Sequence, residues 1–493
     1  MIPKPSTLTC KAGGICPRRS VSSFISLQSC SRVMTTRPPA FVFQPSALDN
    51  IEQIDNCRSG GFHPVSIGDS FSRGRYRVLH KLGFGGFTTV WLARDEQSHR
   101  LVSLKIVTAE ASNTCNELRI LQHLNNSTKF RPACDHILSL LNNFTIEGPN
   151  GFHACLVSPF AAGSRRSRGA LARKFARQLT HAVGYLHDSG VAHGDLNTSN
   201  ILIQLWNVDS WSDKVVYERL GFPVMDKVLL WSGELNNSVS APEYLVEPAN
   251  FSNIEYNCIT KKVLLVDFGQ SFMLKTPPPP NEVGFTMSYC APEVYFERRM
   301  SVWSDIWALG CTIFEMRAGR QLFESFLGGP HEVLLQIVQI LGKLPEPWWS
   351  SWDKRHVYFD EDGKPKKYRL NNIDLSADHP LIQQIRDIGA ADNEAVANEV
   401  AVETNILPGY VRAEPETESI FEPMGMRLSE TEVRGFGDLL QNVIRYNPEE
   451  RLETKGILEH SWFTTSFEDS STIGRSCIDC NVWPVKDRAQ IFN

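Results

Sequence analysis

Nowhere in its 493 residues does this chain string together the ~18 consecutive apolar residues that a membrane-spanning helix needs. The longest apolar runs, 306–316 and 333–341, are broken by Gly, Glu or Gln and read as buried core helices. No membrane partner is expected. Twelve cysteines lie scattered along the chain, which excludes a disulfide scaffold and suits a reducing compartment. Cys477 and Cys480 form a lone CxxC. A structural zinc site needs four ligands and no second pair lies nearby, so a plain thiol pair in a tail stands beside the zinc reading. Charge of one sign is missing too. Fifty Lys and Arg against 55 Asp and Glu give a net charge of -5, so no global cationic field points to direct nucleic-acid binding. There is no internal repeat.

Acidic residues are absent from the first 48 positions, which hold Lys4, Lys11, Arg18, Arg19, Arg32 and Arg37 among many Ser and Thr. That composition fits a basic, disordered tail, and it also resembles a mitochondrial transit peptide. Residues 1–62 are read as this tail. From Tyr76 the texture changes. Tyr76, Val78 and Leu82 alternate with Arg75, Arg77 and Lys81, predicting a half-buried strand. Strand-like runs follow at 89–93 and 101–107, then helical spacing at 117–124. A longer helix over 171–187 puts Leu171, Phe175, Leu179, Val183 and Leu186 on one stripe. Strands first and helices later predict an α+β chain, with a small sheet-rich lobe and a larger helical one. Residues 203–261 and 345–428 look like insertions, the second opening on Trp348, Trp349 and Trp352. Positions 387–422 hold nine acidic residues against Arg412 alone. That run is either a solvated face or an attractor for a basic peptide. Four prolines, 277–280, mark a stiff extended loop. Residues 467–493 read as a tail.

The chemistry begins at Gly83-Phe84-Gly85-Gly86-Phe87-Thr88. Glycines let backbone N–H groups approach phosphate oxygens. A hairpin turn would use glycine as well. The turn is followed by a strand, which argues against a dinucleotide-binding fold. On the third strand, alternation puts Ser103 and Lys105 on one face and Val102, Leu104 and Ile106 on the other. Glu117 shares a helical stripe with Leu121 and Leu124, where an unpaired carboxylate is costly, so Lys105 is its natural partner. After the long helix come His193-Gly194-Asp195-Leu196-Asn197-Thr198-Ser199-Asn200, then Asp267-Phe268-Gly269, then Ala291-Pro292-Glu293. Asp195 can accept a proton, and Asn200 and Asp267 can hold Mg2+ through oxygen.

All of these strings in this order, with RYRVLHKLGFGGFTTVWLARD before them and SDIWALGCTIFEM and NPEERLETKGILEHSWF after, resemble the eukaryotic protein kinases over about 72–466. Within them the chain is most similar to the SR-protein kinases (serine/arginine-rich protein kinases) and their fungal relatives. The resemblance implies a bilobal protein kinase fold. Its N-lobe, 72–160, would be a small antiparallel β-sheet with one main helix, and its C-lobe, 161–466, larger and α-helical. It implies a serine/threonine kinase that uses ATP and Mg2+ on protein hydroxyls, with Arg/Ser-rich splicing factors as substrates. A monomer in the cytoplasm or nucleus is expected, or in the mitochondrion if the basic start is a transit peptide. Leu82, Gly83, Phe84, Gly85, Gly86, Val90, Ser103, Lys105, Glu117, Ser158 and Phe160 would line the ATP site, with 158–161 as the hinge. Asp195 would be the base, and Asn200 and Asp267 would hold the metal. His193 and Asp305 would be structural, Glu293 would pair with Arg451, and Thr286 would sit beside Asp195.

Three positions depart from the family pattern. Asn197 stands where a γ-phosphate-neutralising Lys is usual, which leaves a pseudokinase or nucleotide-binding scaffold as the alternative reading. The HGDxxxxN string also occurs in small-molecule phosphotransferases, a third reading. Gly194 replaces an Arg that normally meets a phosphate on the activation segment, which predicts activity without that phosphorylation. Ser103 replaces the usual Ala.

Overall fold

The computed structural model describes residues 42–126, 135–163, 169–251, 254, 258–325, 329–366, 369–370, 373–374, 380–390 and 426–465. Residues 1–41, the tail from 466, Cys477, Cys480 and most of the acidic run (391–422) lie outside the described residues.

The predicted strands become one antiparallel sheet. It contains β1 (Ser70–Phe71), β2 (Tyr76–Gly85), β3 (Thr88–Asp95), β4 (Arg100–Val107), β5 (Asn142–Gly148) and β6 (Gly151–Pro159), in the order β1-β2-β3-β4-β6-β5. On β4 the alternation holds. Val102, Leu104 and Ile106 enter the apolar layer with Val78, Trp91, Cys155 and Val157, while Ser103 and Lys105 face the other way and stay partly exposed. After β4 come a single turn of helix, α1 (Ala109–Ser112), and the main helix of this lobe, α2 (Asn116–Asn125). Ile120, Leu121 and Leu124 fix the register of α2 by packing into the core.

The larger lobe is helical. α3 (Gly169–Asp188) covers the predicted 171–187 and buries Phe175, Leu179, Val183 and Leu186. β7 (Ala161–Gly163), β9 (Ile201–Leu205) and β12 (Ile259–Leu265) form a small sheet, and β8 (Val191–Ala192) pairs with β13 (Phe272–Met273). α5 (Pro292–Glu297) leads to α6 (Val302–Ala318), which opens on a reciprocal Ser301–Ser304 cap and stops at Gly319 with φ 73°. α6 is buried almost all round, as its long apolar run requires. α7 (Pro330–Leu341) is the second apolar run. Trp348, Trp349, Trp352 and Phe359, on and after the short turns α8 (Trp348–Ser351) and α9 (Arg355–Tyr358), build an aromatic core against Leu334, Leu335 and Val338. The start of the second insertion is therefore packed structure. α10 (Leu381–Arg386) and α11 (Glu430–Val443) then close the lobe.

Two sequence expectations need correction. Residues 42–62, assigned to the disordered tail, are folded. Phe43, Ile54, Cys57 and Phe62 are buried against Val228, Ala241 and Leu245 of the first insertion. The basic residues of the N-terminal stretch stop at Arg37, and the apolar residues spaced through 43–62 find a core there. Within the insertion, α4 (Asp213–Leu220) and the ribbon of β10 (Met225–Lys227) and β11 (Tyr244–Val246) form a clasp. Its Trp211, Val216, Leu220 and Ala249 pack on Leu79, Leu92 and Leu101 of the upper sheet. The ends of the insertion are β9 and β12, which belong to the lower lobe, so the clasp spans both lobes.

The second correction concerns β2. Alternation put Lys81 on an exposed face, yet it is fully buried in an ion pair with Glu52. Register shifts at Val78–His80 and Lys81–Gly83 break the period, and the folded 42–62 segment brings Glu52 onto the side chain that alternation left to solvent.

Candidate active site

The glycine-rich hairpin is the β2–β3 turn. Gly83 pairs with Val90, Phe84 with Thr89 and Gly85 with Thr88. Phe84 and Phe87 are exposed at its tip. Val90 lies opposite Lys105 on β4, and Ser103 pairs with Ser158 on β6, so the hairpin, the β4 lysine and the hinge share one wall. Leu82 is half-buried against the clasp core. Phe160 is deeper in that core, its ring facing Trp211 and Phe251 at 6.5 and 6.3 Å. Its side chain serves the clasp core, which leaves the Phe160 backbone, the part the hinge reading assigns to adenine, for a bound ring.

Lys105 joins the lobes electrostatically. Its Nζ lies 2.6 Å from Glu117 Oε2 and 2.9 Å from Asp267 Oδ1. The twelve-residue gap between Lys105 and Glu117 is short, but the α1 turn fits within it and α2 still delivers the carboxylate. Burial alone would lower the Lys105 pKa, but the two carboxylates outweigh it and push the pKa up, keeping the ammonium charged. Asp267 feels burial as an upward pull, and the Lys105 cation overrides it to hold the carboxyl below its ordinary value. Glu117 Oε1 also accepts the backbone N–H of Phe268 at 3.3 Å. The Phe268 ring is buried edge-on to His193, 5.3 Å between centroids. Asp267 itself takes φ 63°, a left-handed backbone that Asp tolerates better than most non-glycine residues.

The loop after β8 carries the second set. Asn200 Nδ2 donates to the Asp195 carbonyl at 2.8 Å and to Asp195 Oδ2 at 3.2 Å. Thr286 Oγ1 donates to Asp195 Oδ1 at 3.0 Å. Buried His193 accepts the Asp195 N–H on Nδ1 at 3.3 Å and donates from Nε2 to the Val266 carbonyl at 3.1 Å. Asp305 on α6 accepts the N–H groups of His193 (2.7 Å) and Gly194 (2.9 Å), plus His187 Nε2 at 3.0 Å. Burial would raise the Asp305 pKa, but these donors outweigh it and hold the carboxyl low. His187 was missed by the sequence reading. Its only signal is its place in the last turn of α3, shortly before the loop it braces.

Gly194 has φ 82°, and a Cβ there would stand 2.4 Å from the Gln270 carbonyl oxygen. No side chain fits, so the missing Arg is built into this backbone rather than being a simple exchange. Below the loop, Glu293 and Arg451 pair through two hydrogen bonds of 2.6 and 2.8 Å, fully buried, and Arg451 also donates to the Trp303 and Arg445 carbonyls. This pair anchors the segment that carries Thr286.

A lysine between two carboxylates, an Asp–Asn pair beneath it and a hydroxyl on the Asp make up a recognisable arrangement. The protein kinase domain pattern matches residues 76–209 and 251–463, most of the chain. The chain belongs to the protein kinase domain family. The unmatched stretch between these segments is the clasp. Protein kinase dsk1 of Schizosaccharomyces pombe is 37% identical over 166 residues, 31% of this chain and 30% of that protein. Serine/threonine-protein kinase SRPK of Physarum polycephalum is 26% identical over 355 residues, covering 64% of this chain and 78% of that one. SRSF protein kinase 3 of Homo sapiens is 35% identical over 164 residues, 30% of this chain and 28% of the human protein. The aligned part thus spans under a third of the first and last of these relatives. The family carries out ATP-dependent phosphoryl transfer, and its relatives here are SR-protein-kinase-like serine/threonine kinases.

Proposed function

We propose that this chain is an active serine/threonine protein kinase of the SR-protein-kinase type, passing the γ-phosphoryl group of ATP to a protein hydroxyl. The observation that carries the proposal is the junction of Lys105 with Glu117 and Asp267, at 2.6 and 2.9 Å, above an Asp195 already hydrogen-bonded to a threonine hydroxyl. In that arrangement the upper and lower lobes are in register without further movement.

The chain's own groups divide the work. The glycine hairpin offers backbone N–H groups to phosphate oxygens, and Lys105 offers a fixed cation. Adenine would lie between Ser103 and the hinge backbone at 158–161. Asp195 is placed to take a hydroxyl proton, since Thr286 shows that its Oδ1 accepts from an alcohol at 3.0 Å. The oxygen donors suit Mg2+. With its amide nitrogen tied to Asp195, Asn200 has its oxygen left for the cleft, and Asp267 is held ionised. Mg-ATP supplies the transferable group and neutralises part of its charge. Glu293–Arg451 and Asp305 keep the platform rigid.

For the substrate we propose Arg/Ser-rich proteins, on the similarity to the SR-protein kinases. Activity without activation-segment phosphorylation goes with Gly194, which presents no guanidinium to a phosphate. The test is phosphate transfer from radiolabelled ATP to an Arg/Ser-rich protein and to a basic protein without Ser-Arg repeats, by wild type and Asp195→Asn. Transfer to the first, lost in the variant, is the expected result. Equal signals from both enzymes refute the activity. Equal use of both substrates refutes the substrate class.

A further inference from the structure

Asn197 occupies the catalytic-loop position at which a cation would face the transferred phosphoryl, yet both ends of its carboxamide are already engaged. Its Oδ1 accepts the Ser199 N–H at 2.9 Å, capping the 3-10 turn Thr198–Asn200. Its Nδ2 donates to the Asp195 carbonyl at 3.1 Å. The side chain is buried, with 6% of its surface exposed. Asn200 donates to the same carbonyl at 2.8 Å, so two amide groups converge on one oxygen of Asp195. A lysine there has no acceptor for the Ser199 N–H, and only one group of the pair could be replaced.

We propose that Asn197 is a positioning residue. It braces the turn from Asp195 to Asn200, fixing the amide of Asn200 and the backbone of Asp195, and makes no contact with the phosphoryl group. The loop thus uses a cap where a charge is expected. This deepens the kinase reading given above and rests on it for its kinetic arm, while its binding arm stands without it.

The experiment compares wild type with Asn197→Ala, Asn197→Ser and Asn197→Lys. ADP binding is titrated calorimetrically across Mg2+ concentrations, and kcat and KM for ATP are measured separately. Loss of the brace should raise the Mg2+ midpoint for ADP binding by about 10-fold in Asn197→Ala, as loss of an orienting partner does at metal sites. The kcat should fall by about 10-fold, with KM for ATP within about 2-fold of wild type. Asn197→Ser restores the cap through its hydroxyl and should recover much of both losses. Asn197→Lys should not exceed wild type. The opposite pattern overturns the proposal: an unchanged Mg2+ midpoint and a raised KM in Asn197→Ala, or a gain of kcat in Asn197→Lys, would mean that position 197 faces the phosphate. If wild type transfers no phosphate to any protein, the kinase reading fails, and the Mg2+ midpoint of ADP binding still decides the role of Asn197.

Discussion

Two lysines of the upper lobe, each held by a glutamate, differ in what their surroundings leave them free to do. Lys81 on β2 is sealed in an ion pair with Glu52 of the 42–62 segment, and burial, stronger than the pull of Glu52, lowers its pKa. Lys105 on β4 keeps 16% of its side chain exposed, and its two carboxylates override burial and raise its pKa. One is a structural pin and the other a cation presented to a cleft. The same contrast separates the two regions as a whole. Cleft polar groups touch one another and still face open space: the Asp267 side chain is 47% exposed. Elsewhere in the upper lobe donors are spent inward, as when Asn150 in the β5–β6 turn donates to the Phe62 and Ser240 carbonyls at 2.6 and 2.7 Å. Charge that remains available marks chemistry, whereas charge that is fully satisfied marks architecture.

The sharpest way to break this contrast is to exchange the phenotypes. Asp195→Asn should lower kcat by about 10²–10⁴-fold, the usual contribution of a general base, with unfolding free energy unchanged. Initial rates and urea denaturation on the same preparation check it. A large loss of stability would mean that Asp195 is architectural. Glu52→Leu should do the reverse. It strands the Lys81 ammonium in the core and should cost about 3–5 kcal/mol of stability. Adding Lys81→Met should restore most of that, because an apolar pair of similar volume replaces a buried ion pair at little cost. If the double variant stays as unstable as the single one, the pair does more than fill the core.

How much of this was legible in the sequence follows the same division. Lys105, Glu117, Asp195, Asn200 and Asp267 were readable because phosphate chemistry demands fixed residue types in a fixed order, and the fold converges them. The strand and helix spans came through for the same reason that β4 alternates and α3 has a stripe: one face meets a core. The clasp was not readable. The bridge from its Leu230 to Phe43, and the separate pairing of Glu52 with Lys81, join segments apart in sequence, and nothing local requires them. Lys81 was misassigned because a period of two predicts exposure only where nothing covers the second face. Phe160 was assigned to the hinge for its backbone, and what could not be read is that its ring is claimed by Trp211, inside an insertion that looked irregular.

Acidification should sharpen the contrast next, with a smaller effect. His63, in the segment after Phe62, packs on the upper sheet, its ring 4.9 Å from that of His153 on β6. Burial, helped by the His153 charge, pulls its pKa from 6.5 down to about 4. A folded-state pKa below the unfolded value means that the unfolded chain binds the proton first. This contribution is therefore complete above about pH 6.5 and is lost as pH falls toward 4, by at most about 3 kcal/mol. Denaturant midpoints measured between pH 7.5 and 4.5 should fall, and His63→Phe should flatten the curve. An unchanged slope in His63→Phe would place the proton elsewhere.

The smallest effect belongs to the rim of the clasp. Asp213, at the start of α4, accepts Arg94 and Arg77 at 2.9 Å each, tying the insertion to β3 and β2. Burial alone would raise its pKa, but the two guanidinium groups outweigh that and hold the carboxyl low. Yet the side chain is 37% exposed, so water and salt screen both contacts. Asp213→Ala should cost under about 1 kcal/mol, and the difference should shrink when denaturation is repeated in high salt. Arg94→Ala should cost more, because Arg94 also donates to the Trp211 carbonyl at 2.6 Å and would leave that buried oxygen unpaired. If Asp213→Ala instead matched Glu52→Leu, the clasp would be held by its rim charges, and the apolar contacts of Trp211, Val216 and Leu220 would be a consequence of closure rather than its cause.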